Sequence, residues 1–215
     1  MPPIDIATLI IIAANVLISI KGFNDFTFFE KYKFNIASIR RGEHLRMFSS
    51  GFLHADFSHL LFNMLTLYFF AGVVINFLGT PKFVIIYIAS LLLGSLLSFY
   101  FHKDEYHYSA IGASGAVTGI LYAAILFVPD QNLYLFFALP IPAWLFGVGY
   151  LLYSIYGMKN RVGNIGHDAH FGGAIAGYVL TIAFAPGLIT HSTWIVLLLA
   201  VPIILLFVLY KLGKI

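Results

Sequence analysis

Seven stretches of this chain approach the roughly 17–25 mostly apolar residues that a helix needs to cross a bilayer. They cover about residues 6–20, 57–77, 82–101, 113–127, 142–156, 169–184 and 194–212. Hydrophobic residues make up 60% of the chain and charged residues 10%. Soluble domains average about 45–50% apolar and about 25% charged. A soluble fold of this size would lack the polar residues to cover its surface. The expected fold class is therefore an all-α polytopic membrane protein, with one membrane domain over residues 1–215 and no soluble domain. The N-terminus does not read as a cleaved signal, because no Lys or Arg precedes Lys21. The first stretch is expected to be a retained span.

Several stretches are short for a bilayer about 30 Å thick at 1.5 Å per residue. Either their ends extend into the apparent loops, or they stop partway inside the membrane and line a water-filled cavity. Residues 21–53 are too long for a plain connector. They carry Phe23, Phe26, Phe28, Phe29, Phe34 and Phe48, and aromatic residues concentrate at membrane interfaces. A structured, partly embedded loop is expected there.

Cysteine is absent, which excludes disulfides, thiolate metal sites and cysteine nucleophiles. The net charge of +3 comes from scattered residues, which argues against nucleic acid as a partner. Eleven of the twelve Lys and Arg fall on the side shared by 21–53, 102–111, 157–168 and the C-terminus; only Lys82 falls on the other. The positive-inside rule makes the first side cytoplasmic.

Polar residues inside a membrane are costly and suggest function. Gly112-Ala113-Ser114-Gly115-Ala116 opens the fourth stretch. Its bland reading is helix packing through small residues. Its functional reading needs a base beside Ser114, since a serine hydroxyl alone is a weak nucleophile. Gly166-His167-Asp168-Ala169-His170-Phe171-Gly172-Gly173 opens the sixth stretch and supplies candidates. The fourth and sixth stretches run in the same direction, so Ser114 and His170 sit at similar depth. Both carry a small-xxx-small pattern, Gly115-xxx-Gly119 and Gly173-xxx-Gly177, which permits close approach. His167 is the other possible base. It lies one turn earlier and is expected nearer the surface. Asp168 points roughly 200° away from His170 around a helix, which favours a Ser–His dyad over a triad.

The third cluster is His54-Ala55-Asp56-Phe57-Ser58-His59-Leu60-Leu61-Phe62-Asn63. His59 and Asn63 share a helix face at i and i+4. His and Asn side chains can donate to a developing oxyanion. His54, His59 and Asp56 would fit zinc only with an irregular helix start. No metal and no cofactor is expected.

In this order, the three clusters resemble the rhomboid family of intramembrane serine proteases. The similarity runs from Glu43 to Tyr178. It implies a six-helix bundle, here with residues 194–212 as an additional C-terminal helix. It implies Ser114 as nucleophile and His170 as general base. His54 and Asn63 would stabilise the oxyanion, and His59 would support the site. Gly112, Gly115, Gly173 and Gly177 would be supporting glycines. Glu43 and Arg46 resemble part of the motif that structures the first loop, with Leu45 where Trp is usual. The fifth helix resembles a mobile lateral gate. Some members place an aromatic one turn after the serine, stacked on the histidine; here that position is Thr118. Orientation of His170 would then come from Phe171 or helix packing. The resemblance also implies single-pass transmembrane substrates, a bacterial cell membrane, and a site opening outward, opposite to the charge count. Two other readings use the same residues. One is a catalytically silent rhomboid-like client-binding protein. The other is a proton-coupled transporter with a relay of His54, His59 and His170.

Overall fold

A computed structural model describes residues 4–135, 138–163 and 165–215. Among them are seven long helices: α1 (Ile6–Asn24), α2 (Phe57–Leu78), α3 (Thr80–His102), α4 (Ser114–Phe127), α5 (Ala143–Asn160), α6 (His167–Phe184) and α7 (Thr193–Lys211). Each apolar stretch has become one helix. By length and composition alone, α1, α2, α3 and α7 can cross a membrane.

The short stretches resolve in both expected ways. Helix α1 continues past residue 20 to Asn24, through Lys21 and Gly22. Lys21 pairs with Asp25 at 2.7 Å, at i,i+4. Asp25 then caps the next short helix, Phe26–Tyr32, by accepting from the Phe28 N–H. Helix α4 stays short: its 14 residues span about 21 Å. Every residue from Gly115 to Leu126 is buried. A helix that is apolar on all sides belongs in the middle of a bundle.

Helices α3, α4 and α6 pack on one another most closely. A Cβ at Gly173 would collide with the Gly115 carbonyl, and one at Gly177 with the Gly119 carbonyl. A Cβ at Gly172 would come within 2.6 Å of the Gly94 Cα on α3. The two small-xxx-small faces therefore meet with backbone against backbone.

Residues 25–53 form the expected structured segment. After Phe26–Tyr32 comes β1 (Phe34–Asn35), then the short helices Ile36–Arg40 and Arg46–Ser49 and a 3-10 turn over Ser50–Phe52. Strand β1 pairs antiparallel with β2 (Ser109–Ala110), just before α4. Phe34, Ile36 and Ile39 are fully buried beneath it, with Met47, Phe99 and Tyr108 packed around them. Phe26 is 76% exposed, so the phenylalanines of this segment do not share one role. Ahead of α5, β3 (Asn132–Leu135) and β4 (Leu139–Pro142) pair antiparallel.

Helix α7 lies against α5. Ile195, Val196, Leu199 and Leu206 are buried with Tyr122, Leu151 and Ile155. The Tyr178 hydroxyl of α6 donates to the Val196 carbonyl at 2.8 Å.

Candidate active site

Ser114 is the first residue of α4. The preceding Gly112 has φ +119°, a conformation that L side chains rarely adopt. A Cβ there would also sit 2.8 Å from His59 Cε1 and Nε2. Glycine thus lets the chain turn sharply into α4 beneath the His59 ring. The Gly112 N–H donates to the Ser50 carbonyl at 3.0 Å, which ties this turn to the first loop. The first N–H groups of α4 have no intrahelical acceptor. They sit at the positive end of the helix dipole.

His170 Nε2 lies 2.8 Å from Ser114 Oγ. The glycine contacts explain the approach, and His170 itself is buried. Its other ring nitrogen, Nδ1, lies 2.8 Å from the Tyr150 hydroxyl of α5. The partner of His170 is thus neither Phe171 nor bare helix packing. Phe171 is buried in the neighbouring cluster with Leu121 and Tyr122. Nothing in the order of residues marked Tyr150, which is one aromatic among many on α5.

His167 is not nearer the surface. It is buried, and a Cβ at Gly157 would overlap its ring. Its Nε2 lies 3.2 Å from the Val162 carbonyl. The glycine on α5 makes the slot that this ring fills. Asp168 turns away from the pair, as its helical angle requires. Its Oδ1 accepts from the Tyr108 hydroxyl at 3.4 Å, and its Oδ2 lies 3.7 Å from His102 Nε2. Burial, with the Asp168 carboxylate beside it, pushes the Tyr108 phenol well up.

His54 precedes α2 and is fully buried. Its Nε2 accepts from the Ala113 N–H at 3.4 Å, which puts the ring beside the start of α4. Its Nδ1 lies 2.8 Å from Ser19 Oγ, and the Ser19 hydroxyl donates to the Phe52 carbonyl at 3.0 Å. A hydroxyl has one proton. With that proton on Phe52, Ser19 accepts, so His54 carries its proton on Nδ1. Ser19 was not singled out from the sequence. Its signal is the spacing of Thr8, Asn15, Ser19 and Gly22, all buried on one face of an otherwise apolar α1.

Asp56 caps α2 by accepting from the His59 N–H at 2.8 Å. That bond holds its carboxyl below the usual range. The His54 and His59 rings meet edge to face at 4.9 Å. Asn63 is buried, and one amide hydrogen goes to the His59 carbonyl at 2.9 Å. Its second amide hydrogen remains for another acceptor. Arg46 anchors the first loop: it donates to Glu43 at 2.7 Å and to the carbonyls of Glu30 and Lys33 at 2.7 and 3.0 Å. The guanidinium holds the Glu43 carboxyl below its ordinary value. Leu45 faces outward.

A cavity of about 40 Å³ touches Ser114 and is lined by Ser50, Ser95, Ser98 and Gly112. That is enough for a water molecule with several polar partners.

Residues 41–187 match the Rhomboid domain. The mitochondrial RHOMBOID-like protein 12 of Arabidopsis thaliana is 30% identical over 193 residues, covering 82% of this chain. The mitochondrial Rhomboid protein 1 of Saccharomyces cerevisiae is 31% identical over 137 residues, covering 62%. Rhomboid protease GluP of Bacillus subtilis is 33% identical over 147 residues, covering 67%. The matches cover 56%, 40% and 27% of those proteins' own lengths. A multi-pass membrane protein fits all three. The expected bacterial cell membrane is not supported, since two of the three are mitochondrial. On the match across residues 41–187 and the all-α polytopic bundle that carries it, this chain belongs to the rhomboid family.

Proposed function

We propose that the chain is an intramembrane serine protease of rhomboid type, cleaving single-pass transmembrane proteins in or near their spans. The observation that carries this reading is the 2.8 Å contact between Ser114 Oγ and His170 Nε2 inside a buried bundle. The whole of residues 1–215 acts as one membrane domain, with α7 added to a six-helix core.

Ser114 Oγ attacks the scissile carbonyl carbon while its proton passes to His170 Nε2. The carbonyl oxygen becomes an oxyanion. Donors for it are the Ser114 N–H at the helix start and the spare amide hydrogen of Asn63. His54, expected as a further donor, holds its proton on Nδ1 and accepts from the Ala113 N–H through Nε2, so it steadies the start of α4 beside these donors. The C–N bond then breaks, and His170 gives its proton to the leaving amine. Water, for which the cavity beside Ser114 has room, attacks the acyl-enzyme and passes a proton to His170. Collapse releases the carboxylic acid and returns that proton to Ser114 Oγ. The substrate helix must unwind first, because its own hydrogen bonds shield the carbonyl. Segments rich in Gly are therefore favoured substrates.

The test is cleavage of a reconstituted single-pass substrate. Ser114→Ala is expected to abolish it, and retained cleavage would overturn the proposal. Labelling of Ser114 by a fluorophosphonate, lost on His170→Ala, separates a protease from a client-binding protein or a transporter.

A further inference from the structure

Ion pairs use up the carboxylates on one side of this chain and leave several of its cations free. On the side shared by residues 21–53, 102–111, 157–168 and the C-terminus, Asp25 pairs with Lys21 and Glu30 with Lys33. Glu43 pairs with Arg41 and Arg46, Asp104 with Arg40, and Glu105 with Arg161. Asp56 caps α2, and Asp168 is buried against Tyr108. No Asp or Glu follows Asp168. Among the described residues, Lys103, Lys159, Lys211 and Lys214 have no ion-pair partner, and all four are exposed.

Packing gathers these lysines at one rim. Helices α3, α5 and α7 run the same way through the bundle, so their C-terminal ends share a side. The Tyr210 hydroxyl of α7 donates to the Tyr100 hydroxyl of α3 at 2.9 Å, and the Tyr210 ring meets Phe101 edge-on at 5.2 Å. Lys103 sits over the Tyr100 ring, 5.9 Å from its centre, and Lys211 directly follows Tyr210. Leu209 and Ile215 share a packed cluster with Met158 of α5, the neighbour of Lys159.

We propose that the ends of α3, α5 and α7 form a rim that binds the phosphates of anionic phospholipids in the surrounding bilayer. Tyrosines settle at headgroup level, with the ring toward the acyl chains and the hydroxyl toward water. Tyr100 and Tyr210 set the rim at that depth, and the lysine stems carry their ammonium groups to the same level. Cations crowded together without a carboxylate repel one another, and an anionic phosphate relieves that repulsion. A zwitterionic lipid brings its own cation and relieves it less. The occupant also carries acyl chains, because the surface of α7 just below Tyr210 is apolar and open: Ile204, Phe207 and Val208 are all exposed. The rim acts on the lipid whether or not Ser114 is a nucleophile.

The test uses the full chain in a neutral detergent, offered equal amounts of phosphatidylglycerol and phosphatidylcholine and weighed intact by native mass spectrometry. Phosphatidylglycerol should be retained selectively and should raise the melting temperature. Lys211→Gln with Lys214→Gln removes two charges at the exposed end of α7 and should lower that retention about tenfold or more. Adding Lys103→Gln and Lys159→Gln should lower it further, with the melting temperature in phosphatidylcholine unchanged. Lys82→Gln, on the opposite side of the bundle, should have no effect. Equal retention of the two lipids by the wild type would overturn the proposal, as would full retention by the Lys211→Gln, Lys214→Gln protein. An equal loss in Lys82→Gln would overturn the location. Inorganic phosphate at the lipid's concentration should not displace it; displacement would assign the rim to soluble anions instead.

Discussion

Ser114 Oγ and His170 Nε2 lie 2.8 Å apart although 56 positions separate them along the chain. The backbones of their helices touch, with Gly173 against the Gly115 carbonyl. Gly173→Ala inserts a methyl into backbone that cannot rotate away. It should cost roughly 1–3 kcal/mol of stability, the usual range for overpacking, and should separate the pair. The check is a denaturation curve together with labelling of Ser114. A stable variant that labels at the wild-type rate would contradict this account of the site.

Ser19 pins the His54 ring by accepting from Nδ1 while donating to Phe52. Ser19→Ala leaves that ring without its partner on α1. Cleavage should fall about tenfold in kcat, the value of one hydrogen bond of about 1.4 kcal/mol. KM should be unchanged, because the substrate does not touch Ser19. An unchanged kcat would show that His54 needs no such support.

The first loop should be sensitive to acid. Arg46 lowers the Glu43 carboxyl below its ordinary value of 4.5. A depressed folded-state value means that the pair stabilises above the unfolded value and loses this contribution as pH falls through the folded one. Amide hydrogen exchange of residues 25–53, corrected for its intrinsic pH dependence, should therefore accelerate below about pH 4.3. Glu43→Gln should exchange faster at neutral pH and lose this acid dependence. Equal acid dependence in both proteins would assign the effect to other carboxylates.

Asp168 should not behave as a triad carboxylate. Its contacts go to Tyr108 and His102 rather than to His170. Asp168→Asn is expected to label at Ser114 at the wild-type rate while lowering the melting temperature. Loss of labelling at unchanged stability would make it a member of the active site.

Much of this arrangement is legible in the sequence because local chemistry carries it. Apolar runs set the seven helices, and the glycine pairs on α4 and α6 foretell their contact. The parallel course of those helices then brings Ser114 to His170. The harder parts depend on rotation and on distance. Nothing in Trp144, Phe146, Tyr150, Tyr153 and Tyr156 says which ring of α5 faces inward. Tyr150 does so only because α5 lies against α4 and α6 at one particular rotation. Helix α1 outruns its apolar stretch because Lys21 finds Asp25 one turn on. The slot for His167 arises from Gly157, ten positions earlier on another helix.

Helix α7 stands outside the six-helix core, yet Leu199 seats against Gly147, three residues before Tyr150. A Cβ at Gly147 would come within 3.3 Å of the Leu199 side chain and 2.8 Å of the Ile125 side chain. The helix that steadies the base is thus wedged between the centre of the bundle and its outermost member. A change in how α7 seats would therefore reach Gly147 first, and through it the helix that carries Tyr150.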